Sequence, residues 1–503
     1  MGIFPTSWKT EYVNIIPKVF PPSGFGDLRN LSLTEYFSKR FEEFILNGSA
    51  TVKGLLFYIE KFIDKNQFAV KGASCYHALI SIINFILKHT DKNEPPKAVV
   101  NLLADWSKAF NNVNHNIVMR ILIFLGVPQW ILRLILSYLK NRKMIVRFRG
   151  CESPEKDIPG SAPQGTLLGV VIYLLYINPI GFPGEATLDI HEALTSYWCQ
   201  YDIPNYIQPQ NEPMQSPKIL NATKFMDDAT CQEVVDIKSS LCSNIDRSGP
   251  LPFHESSGKV LPGENSLLQD EIVKIKAISD QREIILNAKK TILFVVNFTK
   301  IHQFKPLLKI PGENKYLEVV QETKLLGYWL TSDMKPHTHI CYIIAIANKR
   351  IWTISKLKKA GVSDTDLKFF YEMKIRSVLE TSAVVYHSML TKEDSNNIER
   401  VQRVVVRTIM GTRYHNYEDS SIYLNLEELS VRREELCLTF ALKCFNSEKF
   451  KHLFIPTHNS GHNVREVRRF LEPQYERDRY QNSPLVYLTR ILNKYFSLNT
   501  DNK

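Results

Sequence analysis

The sequence lacks a long uninterrupted apolar run. Its longest nearly apolar stretch has eleven residues, 167–177, whereas a membrane-spanning helix needs about 20. No cationic segment followed by an apolar stretch opens the chain, so we expect no secretory signal. No internal repeat with a period of about 20 to 50 residues is present, which excludes solenoids and propellers. We therefore expect a nuclear or cytoplasmic protein without a membrane partner.

Cysteine is also sparse. Eight scattered cysteines in 503 residues predict reduced thiols rather than a disulfide scaffold. Hydrophobic residues make up 44% and charged residues 23%, which is ordinary for a globular protein and excludes a mostly disordered chain or a coiled coil. Lysine and arginine number 63 against 52 acidic residues, a net charge of +11. This excess favours a polyanionic partner without identifying it.

Hydrophobic periodicity predicts a mixture of helices and strands. Strand character is found in the ranges 98–106, 144–148, 291–297 and 325–330. Helical spacing is found in the ranges 45–63, 76–88, 117–139 with a break near Gly126, 166–178, 267–286 and from 337 to about 450. Two stretches without periodicity, 179–217 and 243–264, are expected to be surface insertions, and the chain from 456 onward is polar and basic with little pattern.

Acidic residues accompany two of these apolar segments. Asp105 lies near the end of a strand-like run, and the pair Asp227–Asp228 follows Phe225 and Met226. Burying a carboxylate is costly unless it is paired or bound to a metal. Magnesium prefers oxygen ligands, and two such ions about 3.5–4 Å apart activate a hydroxyl and stabilise a leaving group. Taken alone, each feature is more often a helix cap or a turn pair.

The residues around these carboxylates resemble, in order, the motifs of a known family. The segments that match are 102–111 (LLADWSKAFN, first catalytic motif), 160–169 (GSAPQGTLLG, Pro-Gln-Gly motif), 225–228 (FMDD, aromatic-x-Asp-Asp box), 288–291 (AKKT, the next motif), 324–327 (KLLG, primer grip), and upstream 8–9, 17–18, 27–29 and 68–74 (fingers motifs). They resemble the reverse transcriptases of non-LTR (LINE-like) retrotransposons. Each motif is weak alone, and the ordered set carries the resemblance.

The resemblance implies an α+β fold shaped as a right-hand polymerase with fingers, palm and thumb. A small antiparallel palm sheet would bring the carboxylates together, and a helical C-terminal thumb would follow. The implied divisions are 1–96 for the fingers, 97–335 for the palm with part of the fingers and the two insertions, 336–455 for the thumb and 456–503 for a basic tail.

The resemblance also implies the active-site residues. Asp105, Asp227 and Asp228 would be catalytic and would bind two Mg²⁺ ions, with Mn²⁺ as an alternative. Phe110 would close the space beside the sugar C2′ and so select deoxynucleotides. The other implied roles are triphosphate binding by Lys18 and Arg29, shaping of the nucleotide and template pocket by Gln164 and Gly165, protonation of pyrophosphate by Lys290 with Lys289 as the alternative, and a primer grip at Leu326 and Gly327.

The function implied is that of a retrotransposon RNA-directed DNA polymerase acting on an RNA template, a DNA primer and deoxynucleoside triphosphates. The chain begins near the fingers, and no RNase H-like carboxylate set follows, so we expect a polymerase piece of a larger or truncated reading frame, with an element-encoded endonuclease supplied elsewhere. Asn111 and Asn114 replace acids that are common in the family. Two alternatives remain open: an RNA-dependent RNA polymerase, against which Phe110 argues, and a catalytically decayed or domesticated nucleic-acid-binding protein.

Overall fold

A computed structural model describes most of the chain. The described residues are 3–17, 21–24, 28–60, 62–64, 66–92, 97–107, 110, 113–148, 150–158, 160–163, 165–178, 220–225, 228–236, 266–299, 306–457 and 469–500. The stretches 179–217 and 243–264, which the sequence predicts to be insertions, lie outside them. Among the described residues, no helix combines the length and the apolar character that crossing a membrane requires.

The fold mixes helices with several sheets. The helices of the described residues are α1 (Tyr36–Asn47), α2 (Leu55–Ile59), α3 (Cys75–His89), α4 (His115–Phe124), α5 (Gln129–Leu139), α6 (Leu167–Ile177), α7 (Leu267–Gln281), α8 (His337–Lys359), α9 (Asp364–Tyr371), α10 (Ser377–Leu379), α11 (Ala383–Tyr386), α12 (Lys392–Met410), α13 (Tyr417–Tyr423), α14 (Leu429–Phe445), α15 (Asp478–Gln481) and α16 (Pro484–Thr500).

The strands of the same residues are β1 (Thr10–Pro17), β2 (Leu28–Leu33), β3 (Lys97–Ala104), β4 (Trp106–Ser107), β5 (Arg142–Phe148), β6 (Cys151–Glu152), β7 (Lys156–Ile158), β8 (Leu220–Phe225), β9 (Asp228–Asp236), β10 (Ile285–Leu286), β11 (Ile292–Asn297), β12 (Glu318–Val320), β13 (Glu322–Leu325) and β14 (Tyr328–Thr331). One sheet has the order β2-β1-β5-β6 with β7 also on β5, and β10-β4 and β13-β14 are two-stranded.

The central sheet has the order β12-β11-β3-β9-β8. Adjacent strands of this sheet are antiparallel, except that β11 and β12 are parallel. The register of β3 and β9 is continuous, from Lys97 opposite Asp236 to Ala104 opposite Ala229. This register fixes which residues meet at each end of the sheet.

Side-chain alternation along β3 divides the core between the two faces of the central sheet. Ala98, Val100 and Leu102 pack with helices α4 to α7, whereas Val99 packs with α3 and the C-terminal helices. Because helices cover both faces, the strand is apolar almost throughout. This explains why the sequence shows a continuous apolar run here rather than a two-residue alternation.

The C-terminal stretch contains a helix that its weak periodicity did not predict. Helix α16 spans Pro484–Thr500. Val486 and Leu492 on this helix are fully buried and lie in the same hydrophobic cluster as residues of α3 and α14.

The helix predicted over 267–286 is shorter than expected, since α7 ends at Gln281 and strand β10 follows.

Candidate active site at the end of the central sheet

Asp105 and Asp228 lie side by side at one end of the central sheet. Ala104 is paired with Ala229 across β3 and β9, so extending the antiparallel register by one residue brings Asp105 opposite Asp228. Ala104 and Ala229 both face helices α4 to α7. Successive side chains of a strand point to opposite faces, so both aspartates belong to the other face, where cross-strand Cβ atoms are about 4.5–5.5 Å apart.

The segment before β11 holds the Asp105 carboxylate. The Asn287 side-chain amide donates to Asp105 Oδ2 at 3.2 Å, and the Asn287 backbone N–H donates to the Asp105 carbonyl at 2.8 Å. Lys290 Nζ lies 3.5 Å from Asp105 Oδ2, and the two side chains are 68% and 29% exposed. The Asp105 backbone N–H also donates to Thr291 Oγ1 at 3.4 Å. Asp105 is therefore oriented by protein donors and remains accessible from solvent.

A small cavity of about 150 Å³ joins these groups. Its lining includes Asp105, Asp228 and Lys290 from the sheet region and Lys324 and Leu325 from β13. Lys324 Nζ donates to the Tyr342 hydroxyl of α8 at 2.6 Å, which fixes the position of its ammonium group. Two carboxylates and the Lys290 ammonium around one opening suit a substrate that carries phosphates and binds with cations.

The predicted primer-grip residues form the turn of a hairpin beside this cavity. Leu325 pairs with Tyr328, and Leu326 and Gly327 between them have φ of 49° and 83°. Positive φ at both central residues is the geometry of a tight type I′ hairpin turn. The prediction of one continuous strand over 325–330 is therefore wrong, because an apolar leucine occupies a turn position.

Phe110 belongs to a second group of predicted residues, formed with the Pro-Gln-Gly segment and helix α6. Its carbonyl accepts the Ala162 backbone N–H at 2.8 Å, which ties it to the Pro-Gln-Gly segment. Its ring stacks on that of Tyr173 in α6, with centroids 4.0 Å apart and an angle of 23°. Phe110 therefore connects the first catalytic motif to the segment that contains Gly165.

Gly165 is required by its backbone conformation and by close contact. Its φ is +98°, and a Cβ at this position would lie 2.8 Å from the Ser32 carbonyl oxygen of β2. The following residue, Thr166, caps α6, since its Oγ1 accepts the Gly169 N–H at 3.1 Å. Together these constraints hold the loop before α6 against the β1–β2 sheet.

Substituting Gly165→Ala is expected to lower the free energy of unfolding by about 1–3 kcal/mol, because it adds strain at positive φ and a clash with Ser32. Urea unfolding measures the loss. Gly126→Ala is the matched control, since Gly126 also has positive φ, +68°, but nothing within 4 Å of a Cβ. An equal loss in both variants would contradict the proposed close contact.

A buried ion pair involves strand β8, which precedes Asp228 in the sequence. Lys224 of β8 is 3% exposed at its side chain and lies 3.5 Å from Asp64 Oδ2. Its ammonium also donates to the Asn178 carbonyl at 3.1 Å. Burial lowers the pKa of Lys224 to about 8, and attraction to Asp64 opposes that shift. Lys224 thus joins β8 to the 62–64 segment and to the end of α6.

Glu271 of α7 belongs to the same buried region. It is 1% exposed, and its Oε1 has no hydrogen-bond partner among the described residues. Burial raises the pKa of Glu271 to about 7 from an ordinary value of 4.5, against the attraction of Lys274 and Lys224. Since the folded state holds this proton more tightly, Glu271 contributes stability below about pH 4.5 that is lost as the pH rises through 7.

Replacing Glu271→Gln is therefore expected to raise the free energy of unfolding at pH 8 by about 1–3 kcal/mol, with a smaller gain at pH 5. Urea unfolding at both pH values measures the difference. Glu313→Gln, at an exposed position, should change stability little at either pH. A gain for Glu271→Gln that does not depend on pH would rule out protonation as its cause.

Several predicted site residues are not described. Lys18, Gln164 and Asp227 lie outside the described residues, and for Arg29 only the backbone, within β2, is described. No group of three histidine, cysteine or acidic residues suited to a metal ion is found in the described part of the chain. The pair at the sheet end supplies two carboxylates, and the predicted third, Asp227, precedes Asp228 directly in the sequence.

Sequence reasoning missed three residues at this site. Asn287 holds Asp105, Thr291 accepts its N–H, and Lys324 is part of the cavity lining. Each lies in or next to a segment that matched a motif. The motif positions therefore signalled the segments, but only tertiary contacts identify which side chains reach Asp105.

Comparison with curated proteins gives relatives of one kind. The RNA-directed DNA polymerase from mobile element jockey of Drosophila melanogaster is 27% identical over 277 residues, 52% of this chain and 28% of that protein. The jockey protein of Drosophila funebris is 30% identical over 181 residues, 35% and 19% of the two chains. The probable RNA-directed DNA polymerase from transposon X-element of Drosophila melanogaster is 28% identical over 182 residues, which are 36% of this chain and 19% of that protein. This chain thus spans 19–28% of the length of these relatives.

Among solved structures, the chain is similar to telomerase from Candida tropicalis in complex with a TWJ fragment of telomeric RNA. The TM-score is 0.37 with 10% identity, covering 99% of this chain and 63% of that one. Telomerase from Candida albicans with a TWJ fragment of telomeric RNA gives a TM-score of 0.33 with 12% identity, covering 90% of this chain and 65% of that one. No protein-family model matches the chain. The sequence relatives confirm the predicted resemblance: the curated homologues of this chain are RNA-directed DNA polymerases of Drosophila non-LTR transposons.

Proposed function

We propose that this chain carries the polymerase portion of a retrotransposon RNA-directed DNA polymerase. It would add deoxynucleotides to the 3′-hydroxyl of a DNA primer paired with an RNA template. The observation that supports this most directly is the meeting of Asp105 and Asp228 beside Lys290 and the β13–β14 hairpin. These residues come from four separate motifs of one ordered set.

Asp105 and Asp228, with Asp227, are the residues that would hold two divalent cations. Their donor set fits Mg²⁺, which prefers carboxylate oxygens and completes its shell with phosphate and water, and Mn²⁺ accepts the same ligands. When bound, such ions neutralise phosphate charge and activate the attacking hydroxyl. Asn287 supports this role because its amide orients Asp105 Oδ2.

The basic residues at the cavity suit a triphosphate. Lys290, 3.5 Å from Asp105, is favoured over Lys289 as the acid that protonates the leaving pyrophosphate, since a general acid must lie within reach of the reacting group. Lys18 and Arg29 would hold the triphosphate. Gln164 and Gly165 would shape the nucleotide and template pocket, and Leu326 and Gly327 would hold the primer end.

Phe110 would select the sugar. An aromatic ring beside C2′ leaves no space for a ribose hydroxyl, so deoxynucleotides would be preferred. The fixed position of Phe110 on Tyr173 and its bond to Ala162 support a rigid wall rather than a mobile side chain.

The proposed architecture is a right hand. Residues 1–96 would be the fingers and 97–335, around the central sheet, the palm with part of the fingers. The helical range 336–455 would be the thumb. Residues 456–503, predicted as a tail, would extend the thumb, since their helix α16 packs on α14 of that range.

Primer extension tests this function. Purified protein with a DNA primer on an RNA template, Mg²⁺ and deoxynucleotides should extend the primer, and EDTA should stop the reaction. Preferential use of ribonucleotides would instead indicate an RNA polymerase. Nucleic-acid binding with a steep salt dependence, but no extension by folded protein, would indicate a decayed or domesticated binding protein. Either result would overturn the proposal.

A further inference from the structure

Among the described residues, the ring of Phe110 stacks on one buried aromatic side chain, that of Tyr173. Tyr173 is 0% exposed, and its ring lies 4.0 Å from that of Phe110, centroid to centroid, at 23°. This is a near-parallel stack at short range. Aromatic pairs of this kind contribute stability beyond the burial of their area, so the orientation of Phe110 depends on the ring beneath it.

Tyr173 is itself held on a helix that is fixed at both ends. At the start of α6, the Leu168 N–H donates to Glu42 Oε2 at 3.0 Å, and the Tyr138 hydroxyl donates to the capping Thr166 at 2.8 Å. At its end, Asn178 accepts the Asp64 N–H at 3.1 Å and donates to the Phe62 carbonyl at 2.8 Å. Helix α6 therefore cannot shift easily, and Tyr173 provides a fixed surface.

The backbone of Phe110 is anchored separately. Its carbonyl accepts the Ala162 N–H at 2.8 Å, and Ala162 is 1% exposed. With its backbone fixed on one side and its ring stacked on the other, Phe110 has little freedom to retreat. A ring that excludes a 2′-hydroxyl must resist being pushed aside, and that resistance requires support from behind.

We propose that Tyr173 is a positioning residue for sugar selection and acts through Phe110. Removing its ring would leave space into which Phe110 could turn, and ribonucleotides would then enter more easily. This inference rests on the proposed function, because it assigns to Tyr173 a share in the discrimination attributed to Phe110.

Single-nucleotide incorporation tests this proposal. The measured quantity is the ratio of kcat/KM for a deoxynucleotide to kcat/KM for the matching ribonucleotide. Tyr173→Leu is expected to lower the ratio about five- to tenfold, the factor that corresponds to a lost aromatic stack. Tyr173→Phe keeps the ring and should keep the ratio within about twofold. Phe110→Ala should lower the ratio more, and adding Tyr173→Leu to it should then change little, since residues in contact are not additive.

Tyr176→Leu is the matched control. Tyr176 lies one turn further along α6, is also 0% exposed, and its hydroxyl donates a hydrogen bond to the Arg282 carbonyl. The Tyr176→Leu variant should lose stability as Tyr173→Leu does, but its ratio of deoxynucleotide to ribonucleotide kcat/KM should stay within about twofold of the wild type. The proposal is overturned if Tyr173→Leu leaves the ratio unchanged while Phe110→Ala lowers it, or if Tyr176→Leu lowers it equally.

A binding measurement separates failure of this proposal from failure of the function. Competition between dCTP and CTP, which differ only at C2′, for the protein on a primed template with a dideoxy-terminated primer needs no chemistry. Wild-type protein should prefer dCTP, and Tyr173→Leu should reduce that preference by about the same factor as in incorporation. If folded wild-type protein extends no primer, the proposed function fails, and this binding ratio still decides the role of Tyr173. Equal ratios in the two proteins would refute it.

Discussion

Replacing Asp105 by asparagine is expected to reduce primer extension at least about 10³-fold, since several kcal/mol of charge stabilisation would be lost from the metal site. The protein should remain folded, because Asp105 is 29% exposed and asparagine retains an oxygen that Asn287 can donate to. Without metal, stability should change by less than about 1 kcal/mol, because relief of the repulsion from Asp228 is offset by loss of the exposed ion pair with Lys290. Primer-extension kinetics and urea unfolding of the same preparation measure both effects.

Glu233→Gln is the matched control for that substitution. Glu233 lies in β9 of the same sheet, but its carboxylate accepts the N–H groups of Leu267 and Leu268 at 3.1 and 3.2 Å and so caps α7. Losing its charge should cost about 1 kcal/mol of stability and leave extension nearly unchanged. Retention of more than about a tenth of wild-type activity by Asp105→Asn would contradict the assignment of Asp105 as a metal ligand.

Replacing Lys224 by methionine is expected to lower the free energy of unfolding by about 3–5 kcal/mol at pH 7, because it leaves the Asp64 charge buried without its partner. Lys224 and Asp64 are 3% and 5% exposed at their side chains, so water cannot replace the lost ammonium. Urea unfolding measures the loss. Adding Asp64→Asn should restore part of the stability, since it removes the unpaired charge.

The exposed pair of Lys276 and Asp280 provides the comparison. These side chains are 31% and 61% exposed, and such surface pairs contribute about 0–1 kcal/mol. Lys276→Met should therefore cost far less than Lys224→Met. Similar losses from the two variants would show that burial of Lys224 and Asp64 does not determine the strength of their pairing.

The elements that the sequence predicts well are those whose burial leaves a continuous or regularly spaced apolar pattern along the chain. Strand β3 is covered on both faces and therefore shows one apolar run, and Cys75–His89 places seven buried residues on a helix at regular spacing. The motif order also identified which segments form the site. Asp105, Asp228 and Lys290 come from different motifs, and the structure brings these three side chains to one cavity.

The features that were missed depend on tertiary contacts or on unusual backbone conformations. The sequence predicts a strand through Leu326 because the residue is apolar, whereas in the structure Leu326 adopts φ of 49° and forms a hairpin turn. Helix α7 was predicted too long because Glu283, at φ of 58°, turns the chain before an apolar pair in β10. Tyr173 and Lys224 resembled ordinary core and strand residues, and only their contacts with Phe110 and Asp64 distinguish them.

Binding of Mn²⁺ is the most direct test of a two-metal site at the end of the central sheet. Electron paramagnetic resonance can count the ions bound to the protein on a primed RNA template with a dideoxy-terminated primer and the matching deoxynucleotide. Two ions per chain are expected for the wild type, and fewer for Asp105→Asn under the same conditions. Equal binding by the two proteins would mean that Asp105 is not a ligand and that the polymerase site must lie elsewhere.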